Sequence, residues 1–230
     1  MNYTKDEPQL EQAIKILSAN VQLEGELNVP QKATGVVLFA HGSGSSRHSP
    51  RNQYVAHTIR EAGVGTLLFD LLTKDEERVD AHTGHLRFDI EFLAKRLVDA
   101  TNWITTQPGT QHLRIGYFGS STGAAAALLG AVELPNIVSA VVSRGGRPDL
   151  AGDALPKVKA PTLLIVGGND DVVIGLNEEA YAQLSCEKEL KIVPGATHLF
   201  EEPGTLEQVA RLASEWFKRK LQPLASAHGT

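Results

Sequence analysis

Leu113-Arg114-Ile115-Gly116-Tyr117-Phe118-Gly119-Ser120-Ser121-Thr122-Gly123, followed by the run Ala124-Ala125-Ala126-Ala127-Leu128-Leu129, decides the fold. Ile115, Tyr117 and Phe118 suit a buried strand. The alanine-leucine run is about the strongest helix former in the chain. Between them Gly119-x-Ser121-x-Gly123 is the G-x-S-x-G pattern of a nucleophile elbow. A strand that reverses this sharply into a helix brings backbone against backbone, and a Cβ two residues either side of the serine would collide. The serine must accept a strained backbone, which lifts its Oγ clear of the sheet edge.

Working outward, the same alternation continues. The period-two pattern Val21, Leu23, Gly25, Leu27, Val29, preceded by Ile14, Ile16 and Leu17, predicts an N-terminal β-hairpin. Gly35 to Ala40 is an apolar run suited to a parallel strand covered on both faces, and it ends in the polar loop His41 to Ser46. A helix is expected over about 52–61 and a strand over 64–69, ending at Asp70. Residues 71–84 are charged and without period, and read as a loop. An amphipathic helix is expected over 88–106. Strands at 138–143, 161–166 and 190–193, and helices near 177–184 and 206–221, complete the chain. Residues 1–10 and 223–230 are expected to be loosely held.

Strands alternating with helices predict an α/β protein, with a mostly parallel sheet and helices on both faces. The 230 residues suffice for one large domain, and no internal repeat or linker divides them. A net charge of −5 argues against nucleic acid and anionic membranes as partners. No run of about 18 apolar residues is present to span a bilayer. The start of the chain carries Lys5, Asp6, Glu7 and Glu11 and lacks an apolar signal core, so a cytoplasmic location is expected. Cys186 is the single cysteine, which excludes an internal disulfide and a cysteine metal cluster.

In such sheets the ligand crevice lies at the carboxyl ends of the strands. Ser43, Asp70, Ser121, Arg144, Asp170 and His198 all fall just past predicted strand ends. A serine hydroxyl is a poor nucleophile at neutral pH. It needs a base within hydrogen-bond reach, and the base needs an orienting carboxylate. His198 is the candidate base and Asp170 the candidate carboxylate, with Asp171 the alternative. The order Ser, Asp, His is that of α/β-hydrolases.

The sequence resembles the α/β-hydrolase superfamily, and within it the dienelactone-hydrolase-like group, from about Val21 to Leu221. The resemblance is carried by Phe39-Ala40-His41-Gly42-Ser43-Gly44, Gly116 to Gly123, Leu164-Ile165-Val166-Gly167-Gly168-Asn169-Asp170 and Gly195-Ala196-Thr197-His198-Leu199-Phe200. It is also similar to hydrolase domains that occur fused to phosphoribosyltransferases, the hydrolase here standing alone. The resemblance implies the triad Ser121, Asp170, His198, with no cofactor or metal. Dienelactone-opening enzymes of the group use cysteine at the elbow, whereas Ser121 stands here, which points to a carboxylesterase-like enzyme. The expected partner is a small-molecule ester. Lactone, thioester or amide cleavage, or a non-catalytic binding protein, are the alternatives.

The tetrahedral intermediate needs N–H donors. Thr122 N, at a helix N-terminus, is one. The resemblance assigns the other to Ser43, with Gly44 the fallback. Only about 17 residues separate the strands ending at Ser143 and starting at Pro161, so no large lid is expected. For Arg144 and Arg147 a salt bridge to Asp149, Asp70 or another loop carboxylate is preferred, with substrate contact through Arg144 the alternative. The same reading applies to Arg47, His48 and Arg51. Asp80, His82 and His85 lack a further clear ligand and are not read as a metal site.

Overall fold

The computed structural model describes residues 10–223. The hairpin β1 (Leu10–Ser18) and β2 (Val21–Val29) opens the chain, followed by β3 (Gly35–Ala40), α1 (Pro50–Glu61) and β4 (Gly65–Phe69). Then come α2 (Lys74–Thr83), α3 (Ile90–Ile104), β5 (Arg114–Ser120), α4 (Thr122–Glu133) and β6 (Val138–Arg144). A 3-10 segment at Pro148–Lys157, kinked at Gly152, leads to β7 (Thr162–Gly167), α5 (Asp171–Gln183), β8 (Lys188–Val193) and α6 (Thr205–Lys220). The ends expected to be loosely held fall outside the described residues, except that Leu10 opens β1 and Pro223 is described.

All eight strands join one sheet in the order β1-β2-β4-β3-β5-β6-β7-β8. β1, β2 and β4 pair antiparallel, and β4 through β8 run parallel. The central strands are buried along their whole length, as strands covered on both faces must be. On one face Val37, Phe39, Phe118, Val142 and Ile165 pack against α1 and α6, with Trp216 and Phe217 fully buried. On the other, Leu38, Tyr117 and Val141 pack under α3 and α4, whose four consecutive alanines let that helix approach the sheet closely. This is the α/β architecture expected, and the parallel strands aim their carboxyl ends at one edge.

Two elements differ from the sequence-based expectation. Residues 71–84 are not a loop, because Lys74–Thr83 is helical. The helix is polar on nearly all sides, so no apolar period betrays it. Its start is fixed by a capping box: Thr73 Oγ1 accepts from Glu76 N at 3.2 Å, while Glu76 Oε2 accepts from Thr73 N at 2.8 Å. Gly84, at φ 68°, closes it in the left-handed conformation. Buried Asp80 ties it down, accepting from Leu86 N at 2.6 Å and from Arg87 Nε at 2.6 Å. Likewise α5 begins at Asp171, six residues before the expected Asn177. Its first turn holds Val172, Val173 and Ile174, β-branched residues of lower helix propensity, and Val172 is exposed.

Replacing Thr73 by Ala removes the cap from a helix with little apolar anchoring. We expect a loss of about 1 kcal/mol, read as a lower urea midpoint and faster amide exchange confined to residues 74–83.

Candidate active site

At the end of β5 the backbone turns through Ser121, at φ 52° and ψ −124°, directly into α4. A non-glycine residue there costs on the order of 1–3 kcal/mol unless its surroundings hold it. They do: Ser121 N donates to Arg144 O at 3.4 Å, and Ser121 O accepts from Ala124 N at 3.1 Å and Arg147 N at 3.0 Å. The flanking glycines are required by space. A Cβ on Gly119 would come 2.5 Å from Ala124 Cα, and one on Gly123 would collide with the Ala40 carbonyl oxygen.

His198 follows β8 on the loop Pro194 to Gly204. Its Nδ1 meets Asp170 Oδ2 at 2.7 Å. Asp170 occupies the position just before α5, yet its side chain caps no helix amide. The carboxylate serves the imidazole instead, and Asp170 rather than Asp171 is the partner. That bond fixes the tautomer with the proton on Nδ1 and leaves Nε2 as a lone-pair acceptor. The loop is held by Glu202, which accepts from Thr197 Oγ1 at 2.6 Å and Thr197 N at 3.0 Å. The ring edge lies over the 144–145 segment, since a Cβ on Gly145 would sit 3.7 Å from His198 Cε1. Ser121 N bonds to that same segment, so the ring and the serine flank one peptide. The Ser121 hydroxyl makes no hydrogen bond to the ring in this structure. Such contacts are often open in unliganded hydrolases and close with substrate.

The loop after β3 supplies the third component. His41 is 4 % exposed. Its Nδ1 pairs with Gly42 O at 3.0 Å and its Nε2 accepts from Leu71 N at 3.0 Å, tying the loop to the end of β4. Burial lowers its pKa and keeps it neutral. Gly42 packs on Ser121, where a Cβ would come 2.9 Å from Ser121 Cβ. Ser43 Oγ bonds to Thr122 Oγ1 at 3.0 Å and donates to Arg87 O at 3.1 Å. Among the described residues none accepts a hydrogen bond from Ser43 N or Thr122 N. Both remain available to a developing oxyanion.

The arginines divide. Arg147 makes the expected salt bridge, to Asp149 at 2.8 Å. Arg47 binds Asp70 and reaches Glu24 at 2.8 Å, and half-buried Arg51 meets Glu201 at 3.2 Å. Among the described residues Arg144 has no salt bridge, contrary to the preferred expectation. It is 6 % exposed, on the α1 side of the sheet, with Nη2 donating to Asn52 Oδ1 at 3.2 Å and the guanidinium 5.9 Å from the Phe200 ring centre. Burial, with Arg51 nearby, lowers its pKa to about 10. Asp80, His82 and His85 do not converge. His82 pairs with Arg78 O and His85 with Thr83 Oγ1, while Asp80 serves Leu86 and Arg87.

Sequence reasoning missed what lies beyond the Ser43 loop. Residues His41 to Ser45 form one wall of a cavity of about 200 Å³. The others are Leu71, Leu72, Leu93 and the α2 side chains Glu77 and Asp80, with Arg87. Burial and nearby Asp70 raise the Glu77 pKa. The only sequence signal for this wall is the capping box that starts α2.

A strained serine on a strand-to-helix elbow, beneath a mostly parallel eight-stranded sheet edge, defines an α/β-hydrolase fold. The chain belongs to the dienelactone hydrolase family, whose model matches residues 23–226. It is 61% identical to a crystal structure of a dienelactone hydrolase from Anabaena variabilis, covering 93% of this chain and 99% of that one, with a TM-score of 0.91. Est1E from Butyrivibrio proteoclasticus shares the fold at 16% identity, with a TM-score of 0.76 over 91% of this chain and 98% of its own. A Mycobacterium tuberculosis protein provisionally named a phosphoribosyl transferase is 58% identical over 212 residues, 92% of this chain. The chain spans about half the length of that relative, 47%.

His41 provides a test of the loop's support. It is buried neutral, so its folded pKa lies below the unfolded value of about 6.5. The stability it confers is therefore present above about pH 6.5 and falls as the pH drops below that value. Urea unfolding of His41→Gln and the parent should differ most at pH 7–8, and the difference should shrink towards pH 5.

Proposed function

We propose that this protein is a serine hydrolase that cleaves carboxylic esters of small to moderate size. Ser121 Oγ attacks the ester carbonyl carbon and passes its proton to His198 Nε2. Asp170 holds the imidazole and stabilises the imidazolium. Negative charge on the carbonyl oxygen is met by the N–H groups of Thr122 and Ser43. As the intermediate collapses, the carbon–oxygen bond to the alcohol breaks and the His198 proton leaves with the alcohol. Water, deprotonated by His198, then releases the acid from Ser121. The chemistry needs no metal or cofactor, because nucleophile, base and electrostatic stabilisation all come from the chain.

The observation that carries this reading is the 2.7 Å Asp170–His198 bond, which orients the imidazole and leaves Nε2 without a partner among the described residues, on a loop at the same sheet edge as the Ser121 turn. The positive φ of Ser121, shared with Ala19, Lys32 and Phe200, supports the reading through its place between β5 and α4 rather than by itself. The transferase name of the Mycobacterium tuberculosis relative belongs to a protein about twice as long, and the site here is built for acyl rather than phosphoribosyl chemistry.

Ser121→Ala should remove essentially all turnover of p-nitrophenyl acetate while leaving the thermal transition in place, and should abolish labelling by an aryl phosphonate. Asp170→Asn should lower kcat by about 10⁴-fold, by allowing the wrong tautomer. Undiminished turnover in Ser121→Ala would refute the assignment.

A further inference from the structure

The cavity beyond the Ser43 loop lies on a definite side of the nucleophile. In the sheet order, β3 and β4 stand on one side of β5, and β6, β7 and β8 on the other. The cavity is built from the segments that follow β3 and β4, whereas Asp170 and His198 follow β7 and β8. This sidedness constrains how an ester lies across Ser121. The leaving alcohol must take its proton from His198, so the alcohol part points towards β7 and β8. The carbonyl oxygen faces Thr122 N and Ser43 N. The acyl chain then runs the opposite way, past Gly42 and Ser43, into the cavity.

Size and charge narrow the occupant. At about 200 Å³ the space is well below a drug-sized site. It is somewhat larger than the roughly 150 Å³ that takes up one benzene ring, so it holds about six to eight non-hydrogen atoms. Leu71, Leu72 and Leu93 give it an apolar floor. Of its charged groups, Asp80 and Arg87 neutralise one another at 2.6 Å. Glu77 has no hydrogen bond or ion pair from its side chain among the described residues, which leaves one negative charge in excess. A carboxylate on the acyl chain would be repelled there.

Building on the ester-hydrolase reading, we infer that this cavity is the acyl subsite, that it selects uncharged chains of about hexanoyl length or a phenyl ring, and that Leu72 sets the length limit while Glu77 excludes anionic chains. The subsite differs from the triad in what it controls: the triad sets whether any ester is cleaved, and the cavity sets which acid is released.

The test is kcat/KM for p-nitrophenyl acetate, hexanoate and dodecanoate and for the p-nitrophenyl monoester of adipic acid, which carries a distal carboxylate. Hexanoate should be the best substrate, with dodecanoate and the adipate monoester at least about tenfold slower. Leu72→Phe should lower the hexanoate-to-acetate ratio by about tenfold, and Leu72→Ala should raise the dodecanoate-to-hexanoate ratio. Glu77→Gln should narrow the gap between the adipate monoester and hexanoate. None of these changes should reorder a series of hexanoates that differ only in the alcohol. Chain-length ratios unmoved in both Leu72 variants would overturn the subsite while leaving the hydrolase reading intact. A change in alcohol ranking instead would place the alcohol in the cavity and overturn the orientation. A parent enzyme that cleaves none of these esters and resists the aryl phosphonate would defeat both.

Discussion

Everything at the carboxyl edge of the sheet depends on how closely α4 can approach β3. Gly123, in the first turn of α4, lies directly against the Ala40 carbonyl, with no room for a side chain. Only that approach lets Ser121 be held at φ 52° between strand and helix, with its amide and carbonyl both bonded. The same contact brings the Ser43 loop over Thr122, because Ala40 is the last residue before that loop. The Ser121 geometry and the two N–H groups unpaired among the described residues are therefore consequences of one steric constraint. A methyl group at Gly123 would have to push apart backbone on both sides, and close-packed interiors yield little to such pressure.

The parts of this arrangement that were legible in the sequence are those fixed by short-range rules. Gly119, Ser121 and Gly123 announce the elbow because sterics leave few other residues for those places. The apolar runs at Gly35–Ala40 and Thr162–Gly167 announce strands buried on both faces. Asp170 and His198 were readable from their place after strands, and they meet at 2.7 Å. The helix α2 was not, because apolar periodicity reports burial, and α2 buries almost nothing but Asp80. Its true signal was Thr73-x-x-Glu76, which acts through two local hydrogen bonds and leaves no mark on hydropathy. Arg144 failed for a different reason. That a guanidinium would be enclosed by Asn52 and Phe200, with no carboxylate, depends on where three distant segments cross.

Arg144 and Arg96 show how differently buried cations are accommodated. Arg96, 5 % exposed, has Glu76 at 2.6 Å and stacks over Phe92 at 4.6 Å. Its charge is matched, and it joins α2 to α3. Among the described residues Arg144 has only a neutral amide and an aromatic face, and its Nε has no partner. Removing water from an ion without a counter-charge is unfavourable, and the fall of its pKa to about 10 reflects that. The residue nonetheless touches Asn52 at the start of α1 and Phe200, two positions beyond His198, and its carbonyl receives the Ser121 amide. It thus bridges the Ser121 turn, the His198 loop and the helix that follows the Ser43 loop.

The missed helix matters most on the other side of Ser121. Asp80 binds Arg87, the Arg87 carbonyl receives Ser43 Oγ, and Ser43 Oγ meets Thr122 Oγ1. A continuous series of polar contacts therefore runs from the surface helix to the residue after Ser121. Its far end rests on an exposed helix with one capping box and few apolar contacts, which places that helix among the segments that open most easily. The scaffold at Ser121 is rigid because backbone meets backbone there, while the cavity wall beyond the Ser43 loop is held by side-chain hydrogen bonds. Changes in α2 can consequently reshape the cavity and the Ser43 loop without disturbing the elbow, so under the proposed reading the fold separates the groups that cleave the bond from the surface that selects what is cleaved.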